Sequence, residues 1–240
     1  MSENVERSVR DLAVDVPGAT RVFEKLGIDY CCGGGQSLKD ACFGAGVSLE
    51  EVMAALESGK DRYAVTEEEN WQSRSLAELA DHIVRKHHEY TKSELLRLEQ
   101  LAAKVASVHG RNHPELVRVQ ELFAALQADL TPHMLKEEQV LFPYIVQLES
   151  AVRSGRRPPT PFFGTVRNPI QMMIREHDTA GDLLRDLRAA SRNFEVPADG
   201  CVSYRSLYNA LEELEQDLHQ HIHLENNILF PRAVIMESGG

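Results

Sequence analysis

Two segments of this chain carry one pattern: HMLKEEQVLFP, from His133 to Pro143, is matched by HIHLENNILFP, from His221 to Pro231. The two histidines lie 88 residues apart (221 − 133), as do Glu137 and Glu225 (225 − 137). A further histidine-bearing helical stretch precedes each copy, with His177 44 residues before His221 and His88 45 residues before His133. Such a repeat marks a duplicated helix pair. Leu116, Val119, Phe123, Leu126, Leu130, Tyr144 and Leu148 recur at helical spacing, and His133 and Glu137 fall inside their stripe. Ile170, Met173, Ala180, Leu184 and Leu187 frame His177, while Leu207, Leu211, Leu214, Leu218 and Ile228 frame His221 and Glu225. The first long period opens on a capping box, Ser75 with Glu78. SGRRPPTPFFG and NFEVPADGCVS, both rich in helix breakers, separate the later periods. The prediction is an all-α protein built on an antiparallel four-helix bundle.

Residues four apart share a helix face. His133 with Glu137, and His221 with Glu225, therefore each offer an imidazole and a carboxylate to one point inside the bundle. A lone histidine on an apolar stripe is usually a satisfied core residue. A glutamate there is harder to explain, because burying an unpaired charge costs several kcal/mol. Two such glutamates, each one turn after a histidine, point to metal. Carboxylates can bridge two ions, so four histidines and two glutamates suit a pair of metals roughly 3.5–4 Å apart. Nitrogen and oxygen ligands without thiolate fit iron or manganese, and zinc also meets the spacing. On the first helix His82, His87 and His88 all compete, and periodicity does not choose between the adjacent pair. His109, His113, His219 and His223 read as surface residues, with His223 and His87 near the rim of the site.

The first 65 residues read as a separate small helical domain, with the bundle occupying 70–240. Pro17 suits a first helical position and Gly27 a C-terminal cap. Ser37 caps a further short helix, and Ser48 with Glu51 makes another capping box. The polar, acidic run SGKDRYAVTEEEN, residues 58–70, reads as the linker. Cys31 and Cys32 sit in a glycine-rich loop, where flexible and accessible thiols suit redox chemistry or transient iron contact; an inward-packed Cys31 is the bland alternative. Cys42 and Cys201 read as ordinary. The balance of 26 Lys+Arg against 37 Asp+Glu, a net charge of −11, argues against nucleic acid and anionic membranes as partners. With no signal peptide or membrane span in view, a cytoplasmic location is expected.

SVRDLAVDVPGATRVFEKLGIDYCCGGGQSL, DHIVRKHHEY, REHDTAGDLL and the two repeated segments together resemble the iron-sulfur cluster repair di-iron proteins, the RIC or ScdA/YtfE-like family. The resemblance covers nearly the whole chain. It implies a hemerythrin-like bundle behind an N-terminal domain of ScdA type, and two non-haem iron ions, oxo- and carboxylate-bridged. Carried over residue by residue, the ligands are His88, His133, Glu137, His177, His221 and Glu225, which selects His88 over His87. Cys31 and Cys32 become candidate relay or redox thiols. The implied function is repair of iron-sulfur clusters damaged by nitric oxide or oxidants, through iron donation or reaction with nitric oxide at the dinuclear site. Damaged iron-sulfur proteins and a diatomic gas would be the partners, and a nitric oxide reductase-type activity is one form such chemistry takes. The alternative is a hemerythrin-like binder or sensor of oxygen or nitric oxide. Pro132 departs from an ideal ligand helix, since it frees the carbonyl of Ala128 and bends the chain just before His133.

Overall fold

The computed structural model describes residues 7–62 and 70–239, with the backbone alone for 59–62. Among these residues the fold is helical, without a named strand. Four short helices come first: α1 (Val9–Asp15), α2 (Ala19–Lys25), α3 (Leu38–Ala45) and α4 (Leu49–Arg62). Their punctuation follows the sequence in most places. The Ser37 hydroxyl accepts the Asp40 N–H at 3.1 Å, and that of Ser48 the Glu51 N–H at 3.1 Å. Gly27 takes φ 66° just past α2, letting the Ile28 N–H return to the Phe23 carbonyl at 2.9 Å. Pro17, however, lies in the turn ahead of α2 rather than at its first helical position. Gly18, left-handed at φ 76°, intervenes and delays the helix to Ala19. The proposed linker is shorter than its composition suggests at the near end, because α4 continues to Arg62; residues 63–69 of that run lie outside the described part.

Four long helices form the bundle. Helix α5 runs through Leu76–His82, a π-helical turn Ile83–His88, and Glu89–His109. Helix α6 comprises Glu115–Lys136, a π turn Glu137–Leu141, and Phe142–Arg153. Helix α7 is Arg167–Ala190, and α8 joins Val202–His223, a π turn Leu224–Leu229, and Phe230–Gly239. Helix α5 packs against α6 and α8, and α7 against α6. The Ser75–Glu78 capping box forms in both directions at the start of α5. The helix continues through Pro132, and His133 stays in the core.

The duplication extends to a pair of residues that the sequence did not single out. The buried carboxylate of Glu149, near the end of α6, accepts the N–H groups of Leu76 and Ala77 at 3.0 Å each. Glu237, near the end of α8, accepts the Val166 N–H at 2.9 Å at the start of α7. Glu149 and Glu237 are again 88 apart (237 − 149). Each places a negative charge on otherwise unsatisfied helix N-terminal donors, which explains a carboxylate in an apolar setting.

The bundle holds two apolar clusters. One includes Phe123, Leu130, Met134, Leu184, Leu211 and Leu218, the other Leu79, Ile83, Phe142, Met173, Leu229 and Phe230. Between them lies a layer of polar side chains. The N-terminal helices have their own core of Val9, Leu12, Phe23, Leu38 and Val52, to which the bundle contributes Ile222.

Candidate metal centre

The polar layer is the place where the six predicted residues meet. His88 ends the π turn of α5, Glu137 begins that of α6, and Glu225 lies in that of α8. A π turn widens the helix locally, and such turns recur at functional sites. His88 Nε2 lies 3.0 Å from His221 Nε2, and His133 Nε2 lies 3.0 Å from His177 Nε2. Glu137 Oε2 is 3.3 Å from His133 and 3.5 Å from His88. The Glu225 carboxylate is 2.9 Å from His221 and 3.1 Å from His177. Two overlapping groups result: His88, His221 and both glutamates, and His133, His177 and both glutamates. Each histidine pair draws one member from each half of the repeat, a crossing that sequence adjacency does not suggest.

Both glutamates are fully buried, at 0% exposure, and both Glu137 carboxylate oxygens lack a hydrogen-bond donor. Two carboxylates held together in an apolar shell with orphaned oxygens are a large uncompensated cost unless a cation joins them. The electrostatics agree in sign. Burial works to lower the pKa of His133, but the carboxylates of Glu137, Glu225 and Glu176 together outweigh it and lift the imidazole to about 9. Burial likewise opposes ionisation of Glu225, yet His221 and His177 hold it well below the usual carboxylate range. The residues present therefore fit a cationic group, and their histidine nitrogens and carboxylate oxygens are placed so that they could hold a metal ion.

The outer ring nitrogens expose an asymmetry. His88 Nδ1 meets Glu138 at 2.8 Å, His177 Nδ1 meets Asn226 at 2.9 Å, and His133 Nδ1 meets Glu176 at 2.8 Å. Such partners fix the tautomer and raise ligand basicity. Lys92 and Lys136 cover the carboxylates of Glu138 and Glu176. His221 is different, because its buried Nδ1 has no hydrogen-bond partner among the described residues. The residue preceding His177 is Glu176, but the one preceding His88 is His87. His87 instead stacks on His221, with centroids 5.7 Å apart at 10°, and bonds Asp217 at 2.9 Å. Glu138, Glu176 and Asn226 escaped the sequence reading; their one signal was adjacency to a ligand-type residue.

His219 and His223 depart from the expectation of surface residues. His223 is buried and bonded to Asn227 at 2.8 Å, and His219 bonds Glu24 at 3.1 Å, so neither is a free surface residue. Both face the N-terminal helices, a partner that the periodicity of α8 alone could not reveal. The paired-cysteine loop is not an open, accessible one at Cys31, which is 3% exposed. A hydrogen bond toward Cys32, and then burial, hold the Cys31 thiol well above its usual range. Cys32 is half-buried against α7, its Sγ 3.4 Å from the His177 carbonyl. Gly181 permits that approach, since a Cβ there would sit 3.3 Å from the same sulfur. The Asn226 amide donates to the Cys31 carbonyl at 3.3 Å while its oxygen meets His177, tying the cysteine loop to the centre. Cys42 is buried; Cys201 is exposed and near His109 Nε2 at 3.1 Å.

Comparison with known proteins agrees with this geometry. The hemerythrin HHE cation binding domain family matches residues 79–233, and the ScdA_N domain, of unknown function, matches residues 5–60. A protein of Haemophilus influenzae named "Probable iron-sulfur cluster repair protein" is 35% identical over 95% of this chain and 97% of its own. The "Iron-sulfur cluster repair protein YtfE" of Escherichia coli O17:K52:H18 is 34% identical over 97% of this chain and 98% of its own. A relative of the same name from Shigella boydii serotype 4 has the same identity and coverage. With both domains matched, and full-length relatives of that kind, this chain belongs to the hemerythrin-like, ScdA/YtfE-type family of iron-sulfur cluster repair proteins.

Proposed function

We propose that this protein repairs iron-sulfur clusters damaged by nitric oxide or oxidants, using two iron ions held between His88, His221, His133 and His177 and bridged by Glu137 and Glu225. The observation that carries the reading is the pair of fully buried glutamates shared by both histidine pairs. When bound, the iron pair supplies a redox-active reservoir of metal. The chain's own residues do the rest. Glu138, Glu176 and Asn226 orient three imidazoles, and the two apolar clusters exclude water above and below the layer. Two histidines and two shared carboxylates would hold each ion, and the iron would supply the chemistry toward a small ligand such as nitric oxide or oxygen. Simple gas carriage would need no cysteine loop against His177, and that contact favours repair. No helix among the described residues is long and apolar enough to cross a membrane, which accords with a cytoplasmic role on soluble iron-sulfur proteins.

The direct test is reactivation. Iron-loaded protein added to a nitric-oxide-damaged iron-sulfur enzyme is expected to restore its activity, while metal-free protein is not. Equal recovery with metal-free protein would refute iron-dependent repair.

We also propose that 1–65 and 70–240 are separate folding units. Each has its own apolar core, with Ile222 the bundle's buried contribution to the smaller one. A fragment starting at residue 70 should remain helical by circular dichroism and retain two iron ions. It should melt at a lower temperature, since removing the smaller domain uncovers Ile222 and His223. A helical fragment without iron would show that the centre needs the N-terminal helices.

A further inference from the structure

Asp29, Cys31 and Cys32 form a third group of ligand-type atoms, all within 4.8 Å of one another. The two Sγ atoms are 3.8 Å apart, and Cys31 Sγ lies 3.4 Å from Asp29 Oδ1. A tetrahedral ion with metal–sulfur bonds of about 2.3 Å and a metal–oxygen bond of about 2.0 Å has edges of about 3.8 Å and 3.5 Å. The two edges that meet at Cys31 match those figures.

We propose that Asp29, Cys31 and Cys32 make a mononuclear site, separate from the histidine–glutamate centre, for a borderline-soft divalent cation such as ferrous iron or zinc. Two thiolates and one carboxylate are its ligands. The thiolates select against magnesium and calcium, which require oxygen ligands. On binding, each sulfur exchanges its proton for the metal, and the protons go to solvent. The ligands are held in place by the fold. Asp29 Oδ1 accepts the N–H groups of Cys31 at 3.1 Å and Cys32 at 2.9 Å, and Cys32 Sγ rests on the His177 carbonyl. Arg185 Nη1, 3.9 Å from Asp29 Oδ2, offsets part of the surplus negative charge. The three residues line a cleft of about 1960 Å³ between the N-terminal helices and the bundle, with Cys31 the most deeply buried of them. The proposal is independent of the repair reading, since it concerns binding of an ion and not its use.

Cobalt(II) is the probe, added to the reduced, iron-loaded full chain. A sulfur-to-cobalt charge-transfer band with tetrahedral ligand-field bands is expected, saturating at one ion per chain. The histidine–glutamate centre has no sulfur and cannot produce that band. Cys31→Ser and Cys32→Ser should each abolish it, Asp29→Asn should weaken binding at least about tenfold, and Cys201→Ser should leave it intact. No sulfur band, or a band surviving both serine variants, overturns the site; unchanged affinity in Asp29→Asn overturns the carboxylate ligand. A measurement on the unaltered chain guards against misfolded variants. Zinc should protect the half-buried Cys32, but not the exposed Cys201, from alkylation read by mass spectrometry, and absence of protection at Cys32 also overturns the proposal. Iron content, measured in the same samples, reports separately on the dinuclear centre.

Discussion

Glu137→Gln and Glu225→Gln should each reduce the iron content from two ions per chain to one or none. The physical reason is that, among the described residues, these two carboxylates are the groups shared by both ion positions. Glu137 lies within 3.5 Å of the imidazoles of His88 and His133, and Glu225 within 3.1 Å of those of His221 and His177. An amide keeps the volume but loses the charge, so the cavity remains filled while two positive ions lose a shared counterion. Near-ultraviolet absorption from a bridged ferric pair should vanish with the metal. Circular dichroism should stay helical, because the apolar clusters on either side are untouched. Metal binding to the folded state alone stabilises it by mass action, so the variants should also lose the rise in melting temperature that iron confers on the parent. Two ions in both variants would sink the bridging assignment.

Changing Cys31 and Cys32 together to Ser should have the opposite profile. Iron content and the near-ultraviolet spectrum should persist, since neither sulfur belongs to the histidine–glutamate groups. Reactivation of a nitric-oxide-damaged iron-sulfur enzyme should fall several-fold. Delivery requires a route out of a sealed layer, and the loop meets the backbone of His177 directly. Repair equal to that of the parent would leave the thiols structural. Loss of iron would mean that the loop supports the centre, a result that Asn226, bonded to both, makes physically intelligible.

Much of the fold was legible because helical periodicity survives any tertiary arrangement. The stripes around His133, His177 and His221, the capping box at Ser75 and the breaker-rich connections predict the bundle as found. His133, Glu137, His177, His221 and Glu225 were legible for a related reason: a glutamate inside an apolar stripe violates the binary pattern, and that violation repeated at one interval, whereas His88 was set apart from His87 only by the family resemblance. Pro17 misled because its fixed φ suits a helix start, whereas Gly18 set the actual boundary. His219 and His223 misled because Glu24, which bonds His219, and Tyr30, whose ring meets His223 edge-on at 5.5 Å, belong to the N-terminal helices.

By itself the sequence determined the helices, the duplication and the chemical kind of the site, because these depend on local spacing and on the cost of burying charge. Only the tertiary structure decided which histidines share an ion position. His88 pairs with His221 and His133 with His177 because the helix packing brings residues from opposite halves of the repeat face to face. It alone distinguished His221 Nδ1, without a hydrogen-bond partner among the described residues, from the three anchored imidazoles, and set Cys32 against the helix that carries His177. Those facts depend on distances between segments far apart in the chain, which periodicity along one helix does not encode.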